Sequence, residues 1–535
     1  MKKFTFLLIA FAGINLSAQS AAYNPNEILV RFAPQVQPEA LRAQGLQFEN
    51  AQQISKVLNI WKLEVNTSNF TEKQIIGEFH RNSNVLGAQL NHIGSFRNNE
   101  PNDPMYDQQW QYYQANDKDI DADEAWEITT GGLNTDGDEI VVAVIDDGIN
   151  LNHPDIEDNL WINQGEIPGD GIDNDNNGYI DDVYGWNIIS NNGNVNIGGW
   201  HGTPVSGIIG AVGDNGIGVA GVNWNVKIMT IAPISTLESN VIEAYDYALQ
   251  ARIRFNETNG EEGALVVATN SSWGVDFGQP EDAPLWCAFY DEMGEAGILS
   301  AGATINGNQN VDVVGDLPTA CPSDYLITVT NMNQNDVKVN GAGYGLETID
   351  LGAHGENAFT TAFSGYGGFG GTSGATPHVA GTIALLYSAP CESFTALAKS
   401  DPAGAAQKIR NYIFDGVDPN PSLEGITVTG GRLNVNNAVQ LLMEECEVMN
   451  TENMQFANSV EIYPNPAKEK LMISNKDGKL IDQIQIFSMD GKLIKSQNKL
   501  ISNEVDVTVL PKGVYKIRIK FNGQQNLISK KFIKN

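Results

Sequence analysis

Residues 139–155 read EIVVAVIDDGINLNHPD. The unbroken apolar run from Ile140 to Ile145 fits a strand buried on both faces, which is how the strands of a parallel sheet read. It ends in a carboxylate, Asp146, followed by a glycine turn, and catalytic and ligand-binding groups of α/β sheets sit at such carboxyl ends. Outward along the chain, ALVVATNSS, GILSAG and YLITVTN repeat the buried-strand pattern, while SNVIEAYDYALQARI reads as a helix between them. The predicted fold class for residues 105–446 is therefore α/β, a parallel sheet with helices on both faces.

Two further segments carry chemistry. HGTPVSGIIGAVG, residues 201–213, places His201 on a glycine corner opening a helix, with Pro204 in its first turn; GGTSGATPHVAG, residues 370–381, places Ser373 on a similar corner before Pro377 and His378. Proline fits a helix best in its first turn, so a helix is expected to begin near Ser373. Five residues along a helix rotate His378 by roughly 140° and carry it about 7 Å from Ser373, so the neighbouring histidine is no partner for the serine. A base and its orienting acid must come from elsewhere, and Asp146, His201 and Ser373 follow one another in the chain order of the subtilisin triad.

VAVIDDGINLNHPD, HGTPVSGIIGAV and GTSGATPHVAG resemble the three active-site signatures of the subtilisin-like serine peptidases. The resemblance implies that Ser373 attacks the scissile carbonyl, that His201 takes and returns its proton, and that Asp146 orients the imidazole. Asp147 adjoins Asp146, and because side chains alternate in direction only one of them is expected to face the histidine; Asp146 is the choice. The oxyanion needs prepared donors: the Ser373 N–H and, by resemblance, an asparagine in GILSAGATINGNQN, with Asn306 preferred to Asn308. ATNSSWG resembles the family's substrate-binding strand, so Ser272, Trp273 and Gly274 are expected to line the cleft, although Trp273 also reads as core. The family's second histidine is Pro204 here, and its Met-Ala-Ala after the serine is Gly374-Ala375-Thr376; neither position carries a proton in the mechanism. An α/β-hydrolase elbow is excluded, because Ala375 replaces its last glycine and the chain order differs. A non-catalytic secreted binding protein on the same fold is the alternative reading.

DGIDNDNNGYIDD, residues 170–182, spaces oxygen ligands around a glycine turn. Asp173, Asp175, Asn177, the Tyr179 carbonyl and Asp181 or Asp182 suit a hard cation, most simply calcium, although Tyr184 stands where an EF-hand loop has its glutamate; a solvated acidic loop is the alternative. No organic cofactor is expected.

The 535 residues carry a formal charge of −33, which argues against nucleic acid or an anionic membrane as partner. MKKFTFLLIAFAGINLSAQS has the layout of a secretory signal, with cleavage expected near Ala18, and no later run is long enough to span a membrane. Export permits disulfides: of three possible pairings, Cys287 with Cys321 and Cys391 with Cys446 are expected because each closes a moderate loop, four free thiols being the alternative.

Residues 19–104 alternate strand and helix as in a small ferredoxin-like α+β unit and a polar, cleavable linker. This part resembles the inhibitory propeptide of the same peptidases, with the junction expected near Asn102-Asp103-Pro104. After a linker at 447–457, residues 458–535 hold short alternating strands with an Asp490-Gly491 hairpin turn and carry +7, against −40 for the rest. Their VEIYPNP opening and GVYKIRIKF resemble a type IX secretion sorting domain, with a generic β-sandwich adhesion module as the alternative. The expected whole is a zymogen, exported to the cell exterior, that acts on proteins or peptides.

Overall fold

A computed structural model describes residues 23–42, 46–67, 70–92, 100–233, 237–475, 478–488, 492–500, 503–521 and 528–535. The expected signal segment 1–18 and the Asp490-Gly491 turn lie outside them. The chain divides into one unit ending at Arg97 and another beginning at Asn98.

In the first unit the order is β1 (Tyr23–Phe32), α1 (Pro38–Arg42), β2 (Asn50–Ser55), β3 (Ile60–Glu64), α2 (Glu72–His80) and β4 (Val85–His92). The sheet order is β2-β3-β1-β4, with neighbours antiparallel, as in a ferredoxin-like unit. The sequence pattern missed β2, whose NAQQIS has no apolar run to mark it. A capping box between Thr71 and Gln74 starts α2, and Phe79 from that helix joins Ile28, Val30 and Leu63 of the sheet in a small core.

The second unit runs α3 (Ala122–Trp126), β5 (Ile140–Ile145), β6 (Gly185–Asn187), α4 (Gly202–Gly210), β7 (Lys227–Ala232), α5 (Glu238–Thr258), β8 (Leu265–Ser271), β9 (Val275–Asp276), α6 (Pro284–Ala296) and β10 (Leu299–Ala303). Next come α7 (Val311–Val314), β11 (Asp316–Leu317), β12 (Leu326–Met332), β13 (Leu351–His354), β14 (Ala358–Thr361), β15 (Tyr366–Phe369) and α8 (Thr372–Tyr387). After them follow α9 (Glu392–Ser400), α10 (Pro402–Asp415), β16 (Asp418–Pro419), β17 (Gly431–Arg432) and α11 (Val435–Ser459).

The main sheet has the order β16-β17-β13-β12-β10-β8-β5-β7-β6 and is parallel apart from its edge strand β16. Strand alternation divides the interior into two cores. Ile140, Val142 and Val144 face one core with residues of α4 and α8; Val141, Ala143 and Ile145 face the other with residues of α5 and α6. All of α8 is buried, which its near-continuous small and apolar sequence permits.

Three expectations change. The chain expected to be an extended, cleavable linker up to residue 104 is anchored at its end: buried Asp103 accepts from the N–H groups of Asp214 and Asn215, and the Met105 N–H donates to the Gly218 carbonyl. The linker expected at 447–457 is helical, as part of α11; it has neither glycine nor proline to stop the helix. Pro377 lies in the second turn of α8 instead of the first. Both expected disulfides form, Cys287–Cys321 and Cys391–Cys446.

The C-terminal strands form two antiparallel sheets, β18 (Glu461–Tyr463), β19 (Lys470–Ser474) and β22 (Glu504–Asp506) in one, β20 (Ile481–Ser488), β21 (Leu493–Asn498), β23 (Gly513–Phe521) and β24 (Ile528–Lys534) in the other. Leu471, Ile473 and Val505 from the first share a core with Ile484, Ile517 and Phe532 from the second, giving the expected sandwich.

Candidate active site

Asp146 follows the carboxyl end of β5, His201 immediately precedes α4, and Ser373 is the second residue of α8, so each stands at the end of a different element. The imidazole Nδ1 of His201 lies 2.9 and 3.0 Å from the two carboxylate oxygens of Asp146, which is 2% exposed. Asp147 also serves the histidine, through the backbone: its carboxylate accepts from the N–H groups of His201 and Gly202 at the start of α4. The two carboxylates thus take different parts of one residue, as their alternating directions require. Burial pulls the imidazole pKa down, but the hydrogen bond and charge of Asp146 and the charge of Asp147 outweigh it, leaving His201 above its ordinary value. Burial pushes the Asp146 carboxyl up against the hydrogen bond from His201.

The Ser373 hydroxyl donates to the Ser272 carbonyl at 3.0 Å; among the described residues it makes no hydrogen bond to His201. Phe369, at the end of β15, sets its ring edge against the His201 imidazole with centroids 5.2 Å apart. Pro377 lacks the N–H that would bond the Ser373 carbonyl, and the Ser272 hydroxyl takes its place at 3.1 Å. Ser272 therefore grips Ser373 from both sides. Gly371 holds φ at +83°, a conformation that favours glycine, and an added Cβ would meet Asn306 Oδ1 at 2.9 Å.

Asn306 accepts from the Thr372 N–H at 3.0 Å through Oδ1, whereas Asn308 approaches Lys338 on an exposed surface. Among the described residues neither the Ser373 N–H nor the Asn306 Nδ2 has a hydrogen-bond acceptor, so two donors flank the serine at a helix N-terminus, where negative charge is favoured. His378 is fully buried, its Nδ1 2.9 Å from the Gly374 carbonyl, and burial lowers its pKa to about 4. Trp273 turns its indole inward, donating to the Ile145 carbonyl at 2.6 Å and stacking on Trp286, while Gly274 is exposed.

In the acidic loop, oxygens of Glu166, Asp173 and Asp175 lie within 4.8 Å of one another, a cluster that suits a hard cation. Glu166 lay just outside the segment singled out by spacing, and only chain reversal brings it in. Asp181 instead accepts from the N–H groups of Gly169 and Gly171, and Asp182 from Asn163, Asn177 and Tyr247. Asn177 thereby faces Asp182, and the Tyr179 ring packs between Trp186 and Tyr247.

Comparison with known proteins agrees with this geometry. The subtilase family matches residues 137–408, and a secretion system C-terminal sorting domain matches residues 461–535. Subtilisin-like protease 1 of Plasmodium falciparum (isolate 3D7) is 29% identical over 328 residues, covering 57% of this chain and 44% of that protein. The chain thus spans less than half the length of this relative. An extracellular basic protease of Dichelobacter nodosus is 27% identical, covering 54% of this chain and 48% of its own length. A thermophilic serine proteinase of Bacillus sp. (strain AK1) is 28% identical, covering 70% and 81%. The chain belongs to the subtilase family and ends in a secretion-system sorting domain.

Proposed function

We propose that this chain is a secreted serine endopeptidase that hydrolyses peptide bonds in proteins through an acyl-enzyme. The observation that carries this reading is the bifurcated contact of His201 Nδ1 with Asp146, beside a serine at the N-terminus of α8 with two uncommitted donors. Asp146 fixes the tautomer in which Nε2 is free to accept a proton. Substrate entry turns the Ser373 hydroxyl from the Ser272 carbonyl toward Nε2, the tightening expected of a catalytic contact on forming the Michaelis complex. The hydroxyl oxygen then attacks the scissile carbonyl, His201 passes the proton to the leaving amine, and the Ser373 N–H and Asn306 Nδ2 receive the oxyanion. Water repeats the sequence to release the acyl group.

Calcium fits the acidic cluster as a structural ion, with Glu166, Asp173 and Asp175 as ligands, since it takes several hard oxygens in flexible geometry. The α+β unit acts as an inhibitory propeptide, and the sorting domain directs the exported chain through the type IX pathway to the cell exterior. The extracellular relative and the matching tail support that destination; among the described residues no helix is long and apolar enough to cross a membrane.

The decisive experiment is labelling of the processed protein by a fluorophosphonate probe, alongside casein cleavage, with Ser373→Ala as control. Labelling and proteolysis are expected for the wild type alone. Equal labelling of both, or no proteolysis by a folded and processed wild type, overturns the proposal.

A further inference from the structure

Asp316, at the start of β11, is a buried carboxylate that the triad does not use; it is 1% exposed. Its Oδ2 accepts from Thr304 Oγ1 at 3.0 Å, the Ile305 N–H at 2.9 Å and Thr319 Oγ1 at 2.7 Å. Its Oδ1 accepts nothing among the described residues, and none of their lysines or arginines pairs with it. Burial pushes the carboxyl up to about 6, against these three hydrogen bonds, and the charge of Asp276 adds to the rise. One oxygen is thus fully committed to holding the group in place, while the other is held ready.

Its position gives that oxygen a purpose. Ile305 precedes Asn306, and Leu317 and Pro318 cross close to Gly274, just past β8, and Gly302, in the neighbouring strand β10. Two glycines face this crossing: an added Cβ at Gly274 would lie 2.2 Å from the Leu317 carbonyl oxygen, and one at Gly302 would lie 3.3 Å from Pro318 Cγ. The same strand ends carry Ser272, bonded to Ser373, and Asn306, bonded to Thr372. Asp316 Oδ2 accepts from the N–H of Ile305, the residue before Asn306, so this carboxylate is tied one residue from the proposed oxyanion donor. The absence of a Cβ at Gly274 and Gly302 keeps this crossing close beneath the strands.

Asp276 supplies an independent observation. It stands directly opposite Asp316 in the β9–β11 pairing. Directly opposed residues share a face with Cβ atoms about 5 Å apart, and like charges so placed repel. A cation between the two carboxylates converts that repulsion into attraction from both sides.

We infer that Asp316, with Asp276 beside it, selects a lysine or arginine as the residue on the acyl side of the cleaved bond. The inference rests on the endopeptidase reading. A guanidinium or ammonium donates to Asp316 Oδ1, and an apolar side chain in the same place leaves a buried carboxylate oxygen unpaired, the arrangement that discriminates most sharply between substrates.

The test compares kcat/KM for two peptidyl p-nitroanilides that differ only in ending in lysine or phenylalanine, using processed wild type and Asp316→Asn, with active enzyme counted by fluorophosphonate labelling. The wild type is expected to favour lysine by at least about 100-fold, and Asp316→Asn to reduce that ratio by a similar factor. Should the variant fail to fold, mass-spectrometric mapping of the bonds that wild type cuts in denatured casein decides the matter: cuts concentrated after lysine and arginine support the inference. Labelled, casein-cleaving enzyme that prefers phenylalanine, cuts without regard to basic residues or keeps its lysine preference in Asp316→Asn overturns this inference and leaves the endopeptidase reading standing. No labelling and no cleavage overturns both.

Discussion

The carboxylate of Asp147 accepts from the backbone N–H of His201 with its two oxygens at 3.3 and 3.2 Å. The helix start behind the imidazole is thereby tied to the residue next to Asp146, so two adjacent aspartates hold one histidine at its ring and at its backbone. Asp147 also raises the His201 pKa through its charge. A general base must be neutral, so the acid limb of kcat/KM is expected above the ordinary histidine range, and Asp147→Asn is expected to move it to lower pH. Removing a carboxylate from a helix N-terminus also costs about 0.3 to 1 kcal/mol of stability. A pH–rate profile of the two proteins checks the shift; a limb that stays put or moves upward contradicts it.

The two candidate oxyanion asparagines separate cleanly by substitution. Asn306→Ala is expected to lower kcat by about 100- to 1,000-fold with little change in KM, because the donor is needed only once charge develops on the oxygen. Asn308→Ala, on the Lys338 surface, is expected to change kcat by less than about twofold, since surface changes away from such features have small effects. Steady-state kinetics on one peptide substrate measures both.

Ser272 and Pro377 are expected to be coupled in stability. The Ser272 hydroxyl satisfies the carbonyl that Pro377 leaves without a helical partner, and an unsatisfied buried acceptor costs about 1 to 3 kcal/mol. Ser272→Ala is expected to destabilise by about that amount in the parent and by less in a Pro377→Ala background, where an N–H returns. A double-mutant cycle by denaturant unfolding of the inactivated Ser373→Ala protein gives the coupling; equal costs in both backgrounds would refute it.

Loss of the bound cation is expected to destabilise the folded protein. Chelation should lower Tm, and at a free cation concentration about 100 times Kd the stabilisation forfeited is about 2.7 kcal/mol. Glu166→Gln is expected to remove most of the chelator's effect, while Asp181→Asn, whose carboxylate lies outside the Glu166–Asp173–Asp175 cluster, should leave it in place. Thermal scans with and without chelator distinguish these outcomes from a solvated acidic loop, for which chelation changes nothing in any variant.

Much of the layout is legible in the chain. EIVVAVID announces a strand buried on both faces because both of its alternating sets are apolar, and each set does face its own core. The glycine corners before α4 and α8 mark where side chains are presented at helix starts, and helix geometry alone removes His378 from the chemistry. NAQQIS hid its strand because it has no apolar run, and TENMQFAN looked like a linker because polar composition does not distinguish a helix from a loop. Pro377 marked a helix start near Ser373, and α8 does begin there, at Thr372, but the proline falls in its second turn, where the Ser272 hydroxyl just past β8 takes up the carbonyl it leaves open.

What the sequence by itself determined was the set of local elements and the residues placed at their ends, since these follow from side-chain period, turn chemistry and backbone preference over a few neighbours. It contained Asp146, His201 and Ser373 and the cysteine pairs, but not the distances between them. Only the tertiary structure decided that Asp147 caps the histidine's helix, that Glu166 joins Asp173 and Asp175, that Ser272 holds Ser373, and that Thr304 and Ile305, just after β10, hold Asp316. Each of these contacts depends on sheet order and loop reversal, which bring together groups separated along the chain and carry no local signature in either partner.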